Sequence, residues 1–202
     1  MGISAREFEK LSERLSARKE LPVKGPPRQA APKNDSPVRI LGIDPSLRGT
    51  GFGVILAEGQ KMEYVDAGTI VCPKKWAHSK CLLAISETLF DVIQTHSPEV
   101  CVVEGLFFAK NSKTALIMGQ ARGAAIVAAS RAGLPIYEIA ARKVKQAIVG
   151  FGGAQKIAVG KMVERMLGLN ETPSPDAGDA LALAMTFTLE TRSPIAKPIE
   201  RI

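Results

Sequence analysis

The chain reads as an α/β protein, a mixed five-stranded sheet with helices on both faces. Two observations lead there. Three apolar runs follow one another between residues 38 and 72, separated only by Gly-rich or polar turns. After them, helical apolar periods alternate with two short apolar runs, at 99–104 and 134–138. The 202 residues suffice for one domain with a sizeable core, and 46% hydrophobic against 5% aromatic content makes that core aliphatic and alanine-rich.

Residues 22–37 (PVKGPPRQAAPKNDSP) hold five prolines and few large apolar side chains, the composition of a linker. Residues 1–37 are therefore expected to be a flexible basic extension, residues 38–190 the folded domain, and residues 191–202 a disordered tail. Val38–Ile43 reads as a buried strand, Gly51–Ala57 as its hairpin mate and 61–72 as a third strand. A helix is predicted over 79–97, with Leu82, Leu83, Ile85, Leu89, Val92 and Ile93 on its apolar face. A short strand at 99–104 ends on Glu104. A helix rich in small side chains spans 112–132, a fifth strand covers 134–138, and helices follow near 140–147, 155–167 and 176–190.

No uncharged apolar run approaches 18 residues, so no membrane span is predicted. The N-terminal stretch lacks an apolar core and carries Glu7, Glu9, Glu13 and Glu20, unlike a secretory or transit signal. Three cysteines (Cys72, Cys81, Cys101) form no C-x-x-C pair, which argues against a disulfide framework or zinc site and for a reducing cytoplasm. The net charge of +7 divides between the extension (8 Lys+Arg, 5 Asp+Glu) and the remainder (19 against 15). That mild excess alone identifies no partner.

The carboxylates are more informative. Asp44 ends the first strand and Glu104 the fourth, and a charge at the end of a buried strand is costly unless it pairs or binds a cation. If the two strands are neighbours, both carboxylates reach one end of the sheet, where open α/β sheets place their ligands. Asp176 and Asp179 stand three apart in PSPDAGDALALAM, on one face of a helix, where like charges repel. Capping with first-turn acidity explains Asp176 but leaves Asp179 unexplained. Four carboxylates without histidine or cysteine are hard ligands suited to magnesium or manganese. Two such ions about 4 Å apart can clamp the oxygens of a phosphodiester during in-line displacement.

GIDPSLRGTGFG, VVEGLFFAKN, GQARGAAIVAA, AARKVKQAIVGFGGAQK and PDAGDALALA, in this order over about residues 38–189, resemble the successive motifs of the RuvC family of bacterial Holliday junction resolvases. The resemblance implies a ribonuclease-H-like fold and a homodimer that nicks two symmetry-related strands of a four-way DNA junction. It further implies that Asp44, Glu104, Asp176 and Asp179 are the catalytic metal ligands for two Mg2+ ions per site, with Mn2+ as substitute. A partnership with the branch-migration proteins RuvA and RuvB belongs to the same expectation. Two positions depart from the family pattern: Ser46, where glycine usually follows Asp-Pro, and Gly105, where glutamine commonly follows the glutamate.

Without the four proposed ligands, residues 38–202 hold 19 basic against 11 acidic groups. Lys110, Arg122, Lys145 and Lys156 are candidate DNA contacts, of the kind that supplies affinity and positioning rather than sequence readout. For Lys145 and Lys156 the resemblance implies roles at the phosphate backbone beside the metals. It also favours Phe107 as a side chain stacking on an unpaired junction base, with ordinary packing as the alternative. The small-residue helix is either the dimer contact that the resemblance implies or a buried internal helix. A sugar-kinase or actin-like ATPase would share the strand–Asp–Gly–Thr–Gly hairpin but needs two related domains. Another ribonuclease-H-like nuclease would share the sheet but not all five motifs. A catalytically silent binding module has no need of four carboxylates.

Overall fold

The computed structural model describes residues 36–59, 61–105, 112–191 and 199–202. Six strands form one sheet: β1 (Val38–Asp44), β2 (Gly49–Glu58), β3 (Lys61–Val71), β4 (Val100–Glu104), β5 (Ile136–Ile139) and β6 (Glu200–Arg201). Their spatial order is β3-β2-β1-β4-β5-β6. The β1–β2 and β2–β3 hairpins are antiparallel, β1–β4 and β4–β5 are parallel, and β6 closes antiparallel on β5. The five expected strands are present. The sixth corrects the count; of the tail expected over 191–202, residues 192–198 lie outside the described residues. Glu200 and Arg201 have no apolar signature, and their main chain pairs with Glu138 and Tyr137 at an otherwise open edge.

Among the described residues five helices pack on this sheet: α1 (His78–His96), α2 (Ser112–Arg131), α3 (Ala141–Val149), α4 (Lys156–Leu167) and α5 (Pro175–Thr191). β1 from Ile40 and β4 are covered on both faces, which is why ILGI and VCVV are continuous apolar runs rather than alternating ones. Alternation along the strands separates two cores. Leu41, Ile43, Cys101 and Val103 face α1 and α2, meeting Ile85, Leu89, Ala121 and Ala125. Ile40, Val100 and Val102 face the other way, against Val144, Val159, Leu181 and Met185 of α3, α4 and α5. Each fully buried Leu or Ile contributes roughly 1.5–3 kcal/mol.

Helix α5 is buried on every side from Ala177 to Thr188, save Asp179. Its inner face rests directly on strand backbone. A Cβ on Gly42 would stand 2.0 Å from the Ala180 carbonyl oxygen, and one on Gly51 2.0 Å from that of Asp176. Gly42 pairs with Gly53, and Asp44 with Gly51, so one glycine-lined patch spans β1 and β2 on the same face as Asp44. The buried threonines of α5 are satisfied within the helix, Thr186 Oγ1 donating to the Ala182 carbonyl at 2.7 Å and Thr188 Oγ1 to that of Ala184 at 3.2 Å.

Candidate active site

The register of the parallel pair, Ile43 opposite Val103, carries Asp44 and Glu104 to adjacent strand ends on the face that α5 covers. Burial pushes the Asp44 carboxyl up to about 8, with further upward contributions from the Glu104 charge, a side-chain hydrogen bond with Glu104, and Asp179. Lys156 acts in the opposite sense. A carboxylate pair so placed shares a proton unless a cation comes between them.

Asp179 reaches the same place from the second turn of α5, lowered onto the sheet by the glycine patch. The Lys156 ammonium donates to Asp179 Oδ2 at 2.6 Å. That bond raises the Lys156 pKa against the opposing effect of burial, and the Asp179, Asp44 and Glu104 charges add to the rise. Asp179 and Glu104 line a pocket of about 100 Å3 with Lys145 and Lys156 at its rim and Val144, Val159 and Leu183 as its apolar wall. Lys145 comes from α3 and Lys156 from the first turn of α4. The two helices are joined through Gly150, whose left-handed backbone (φ 83°) ends α3.

Asp176 lies in the first turn of α5 with Oδ2 over Gly49, where a Cβ would approach it to 2.8 Å. The turn itself begins at Ser174, whose carbonyl accepts from Gly178 N–H at 2.8 Å and whose hydroxyl meets Thr69 Oγ1 at 2.9 Å. Asp176 is not among the groups acting on Asp44. Among the described residues, no three carboxylate, histidine or cysteine side chains already enclose a cation-sized space. The donor chemistry nevertheless fits a hard divalent ion: three carboxylates converge, burial and its neighbours push one of them up, and a lysine supplies the compensating charge.

The departure at Ser46 leaves the Asp44 loop intact, because that position works through its main chain. Thr50 Oγ1 donates to the Ser46 carbonyl at 2.6 Å, and Ser46 N–H returns to Thr50 Oγ1 at 3.2 Å. Phe107 and Lys110 lie outside the described residues. Arg122 is placed differently from the expectation. It stands on α2, on the opposite face of the sheet, ion-paired with Glu138 and only 16% exposed. The sequence reading passed over Glu138 and the glycine patch. The patch had a signal, since Gly51 and Gly53 alternate in a strand pattern and glycine within a strand marks close backbone approach. Glu138 had none, because its partner is 16 residues away and is met only through the fold.

A mixed sheet of this order, with acidic residues at the ends of its two central parallel strands and on the helix that crosses them, defines a ribonuclease-H-like nuclease. The family model described as "Crossover junction endodeoxyribonuclease RuvC" matches residues 40–187. A protein of that name from Marinobacter nauticus is 47% identical over 146 residues, covering 72% of this chain and 83% of the relative. One from Bordetella avium is 44% identical over 164 residues, covering 79% and 91%. Among solved structures, RuvC of T. thermophilus in complex with a Holliday junction substrate superposes with a TM-score of 0.75 at 32% identity, over 82% of this chain and 99% of that one. The yeast mitochondrial Holliday junction resolvase Ydc2, 12% identical with a TM-score of 0.56, shares the fold. The chain belongs to the RuvC family of crossover junction endodeoxyribonucleases, nucleases that depend on metal ions. Among the described residues no helix is long and apolar enough to cross a membrane.

Proposed function

We propose that this chain resolves four-way DNA junctions in recombination and repair, nicking two symmetry-related strands by metal-dependent phosphodiester hydrolysis. The observation that carries this reading is the meeting of Asp44, Glu104 and Asp179 at one strand end beside Lys156. Asp44, Glu104, Asp176 and Asp179 would hold two Mg2+ ions, with Mn2+ as substitute. When bound, the ions supply Lewis-acid stabilisation to the attacking and leaving oxygens of an in-line displacement. Asp44, buried and next to two other carboxylates, would be held in its ionised form by bound cations. Lys156 holds Asp179 in place and presents positive charge at the mouth of the pocket, where with Lys145 it draws the scissile phosphate inward. The apolar wall of Val144, Val159 and Leu183 strengthens these charges by excluding water.

The working unit is a homodimer, since two nicks on symmetric strands require two sites. Support comes from α1 and α2, whose outer side leaves Leu83, Leu116 and Val127 more than half exposed. Gly119 and Gly123 on α2 have open space where a side chain would stand. Residues 38–190 serve as the nuclease domain and residues 1–37 as a basic extension. Phe107 and Lys110 are assigned to the junction. RuvA and RuvB are the expected partners, and the cytoplasm the place of action.

The test compares a four-way junction with a linear duplex of the same sequence, each with magnesium and with EDTA, on a cleavage gel. Paired nicks in the junction with magnesium alone are expected. Equal cleavage of the linear duplex would exclude resolvase activity. Asp179→Asn should bind the junction with near wild-type affinity and cut it about a hundred- to a thousandfold more slowly, on the order of the loss from removing one electrostatic stabiliser. Full cleavage by that variant would remove Asp179 from the ligand set.

A further inference from the structure

We infer that Arg122 and Glu138 are positioning residues for Glu104, an ion pair behind the sheet that fixes the strand end from which that carboxylate projects. The inference rests on Glu104 belonging to the site described above. Val103 pairs with Glu138, and Val103 faces α1 and α2, so the Glu138 side chain points to the face opposite the carboxylates. There it pairs with the Arg122 guanidinium, and the same guanidinium donates through Nε to the Glu104 carbonyl at 3.4 Å. On the other side of that peptide bond, Gly105 N–H donates to the Ile139 carbonyl at 3.0 Å. One peptide unit, Glu104–Gly105, is thus held at its C=O by Arg122 and at its N–H by β5. Its rotation sets the last backbone torsion of Glu104 and with it the direction of the side chain.

The departure at Gly105 belongs to the same device. A Cβ there would fall 2.9 Å from Glu138 Oε1 and 3.1 Å from its Cγ. Glycine leaves the room through which Glu138 reaches Arg122. The pair is half-buried, with side-chain exposures of 16% and 32%. Removing either partner would strand a desolvated charge against the end of β4. A planar guanidinium holds the carboxylate and the carbonyl in one fixed geometry, whereas an ammonium gathers its donors at a single point on a flexible stem. Arg122, taken up in this way, does not contact DNA.

Glu138→Gln and Gly105→Ala test the assignment. The first removes the charge without changing shape, and the second pushes Glu138 aside. Each is assayed for junction affinity, for the Mg2+ concentration giving half-maximal cleavage, and for the rise in Tm that Mg2+ alone produces without DNA. Partners that orient metal ligands typically matter by about 10–100-fold in metal affinity or activity. The expectation is a half-saturating Mg2+ concentration at least tenfold higher and a smaller Mg2+-induced rise in Tm, with junction affinity within twofold of wild type. Arg122→Lys should behave like Glu138→Gln despite keeping its charge. If the variants only lower Tm while metal half-saturation and the Mg2+ increment stay at wild-type values, the pair is structural and the inference fails. If Arg122→Lys instead weakens junction binding at unchanged metal dependence, Arg122 returns to the DNA and the inference also fails. A wild-type chain that neither cleaves nor gains stability with Mg2+ would overturn the underlying site instead.

Discussion

Gly51→Ala puts the glycine patch under direct test. The added methyl would lie 2.0 Å from the Asp176 carbonyl oxygen and 2.4 Å from its carbon, whereas ordinary contact begins near 3.4 Å. The first turn of α5 must therefore retreat by about 1.4 Å, the difference between the two distances. Overpacking of this kind costs about 1–3 kcal/mol. For a domain of this size that corresponds to a Tm lower by roughly 2–12 °C. The catalytic loss should be larger, because the turn that moves carries Asp176 and leads into Asp179. A displacement near 1 Å in a reacting constellation costs on the order of a hundredfold in rate. Gly42→Ala makes the useful comparison, since it presses on Ala180 in the helix interior, with the Ala184 nitrogen also at 3.0 Å. There no frayed end can yield, so stability should fall further than in Gly51→Ala. Single-turnover junction cleavage and thermal melts of both variants decide the matter. Gly51→Ala cleaving within twofold of wild type, or Gly42→Ala melting with it, would refute the idea that direct helix-on-backbone contact sets the ligand positions.

Three further outcomes follow from the same geometry. In EDTA, stability should fall as pH rises from about 4 to 8, because the folded chain keeps a proton on Asp44, raised to about 8, that the unfolded chain releases near its ordinary value of 3.8. Asp44→Asn should flatten that dependence in melts across the range, and an unchanged slope would contradict the protonated pair. Lys156→Met frees Asp179 and removes a cation from the pocket mouth, so cleavage should drop and the salt slope of junction binding should lessen by about one unit, read by titration at several salt concentrations. Arg48→Ala removes donors to the Pro73 and Trp76 carbonyls and to Cys81 Sγ, and should destabilise the fold by about 2–3 kcal/mol in urea while leaving cleavage per folded molecule unchanged.

The sheet was legible because its signal is local. Ile40–Ile43 and Val100–Val103 are buried on both faces, so burial writes itself into consecutive residues, and each run ends where a charge appears. Asp176 and Asp179 were legible through helical spacing. The ion pair of Arg122 was hidden for the complementary reason. A basic residue in a basic half of the chain looks like a DNA contact until the fold brings Glu138 beside it. Glu200–Arg201 escaped notice because edge pairing uses main-chain groups, which every sequence possesses. The departure at Gly105 became intelligible only with the Glu138 side chain in view, since the glycine is explained by what lies against it.

The burial of α5 has a kinetic consequence. A helix enclosed from Ala177 to Thr188 cannot exchange its amide hydrogens by local fraying along that stretch, so those amides should exchange only through whole-domain opening. Asp179 sits within this slowest-exchanging segment. Backbone opening that would carry it away from Asp44 and Glu104 by fraying should therefore be rare as the domain is warmed toward its transition.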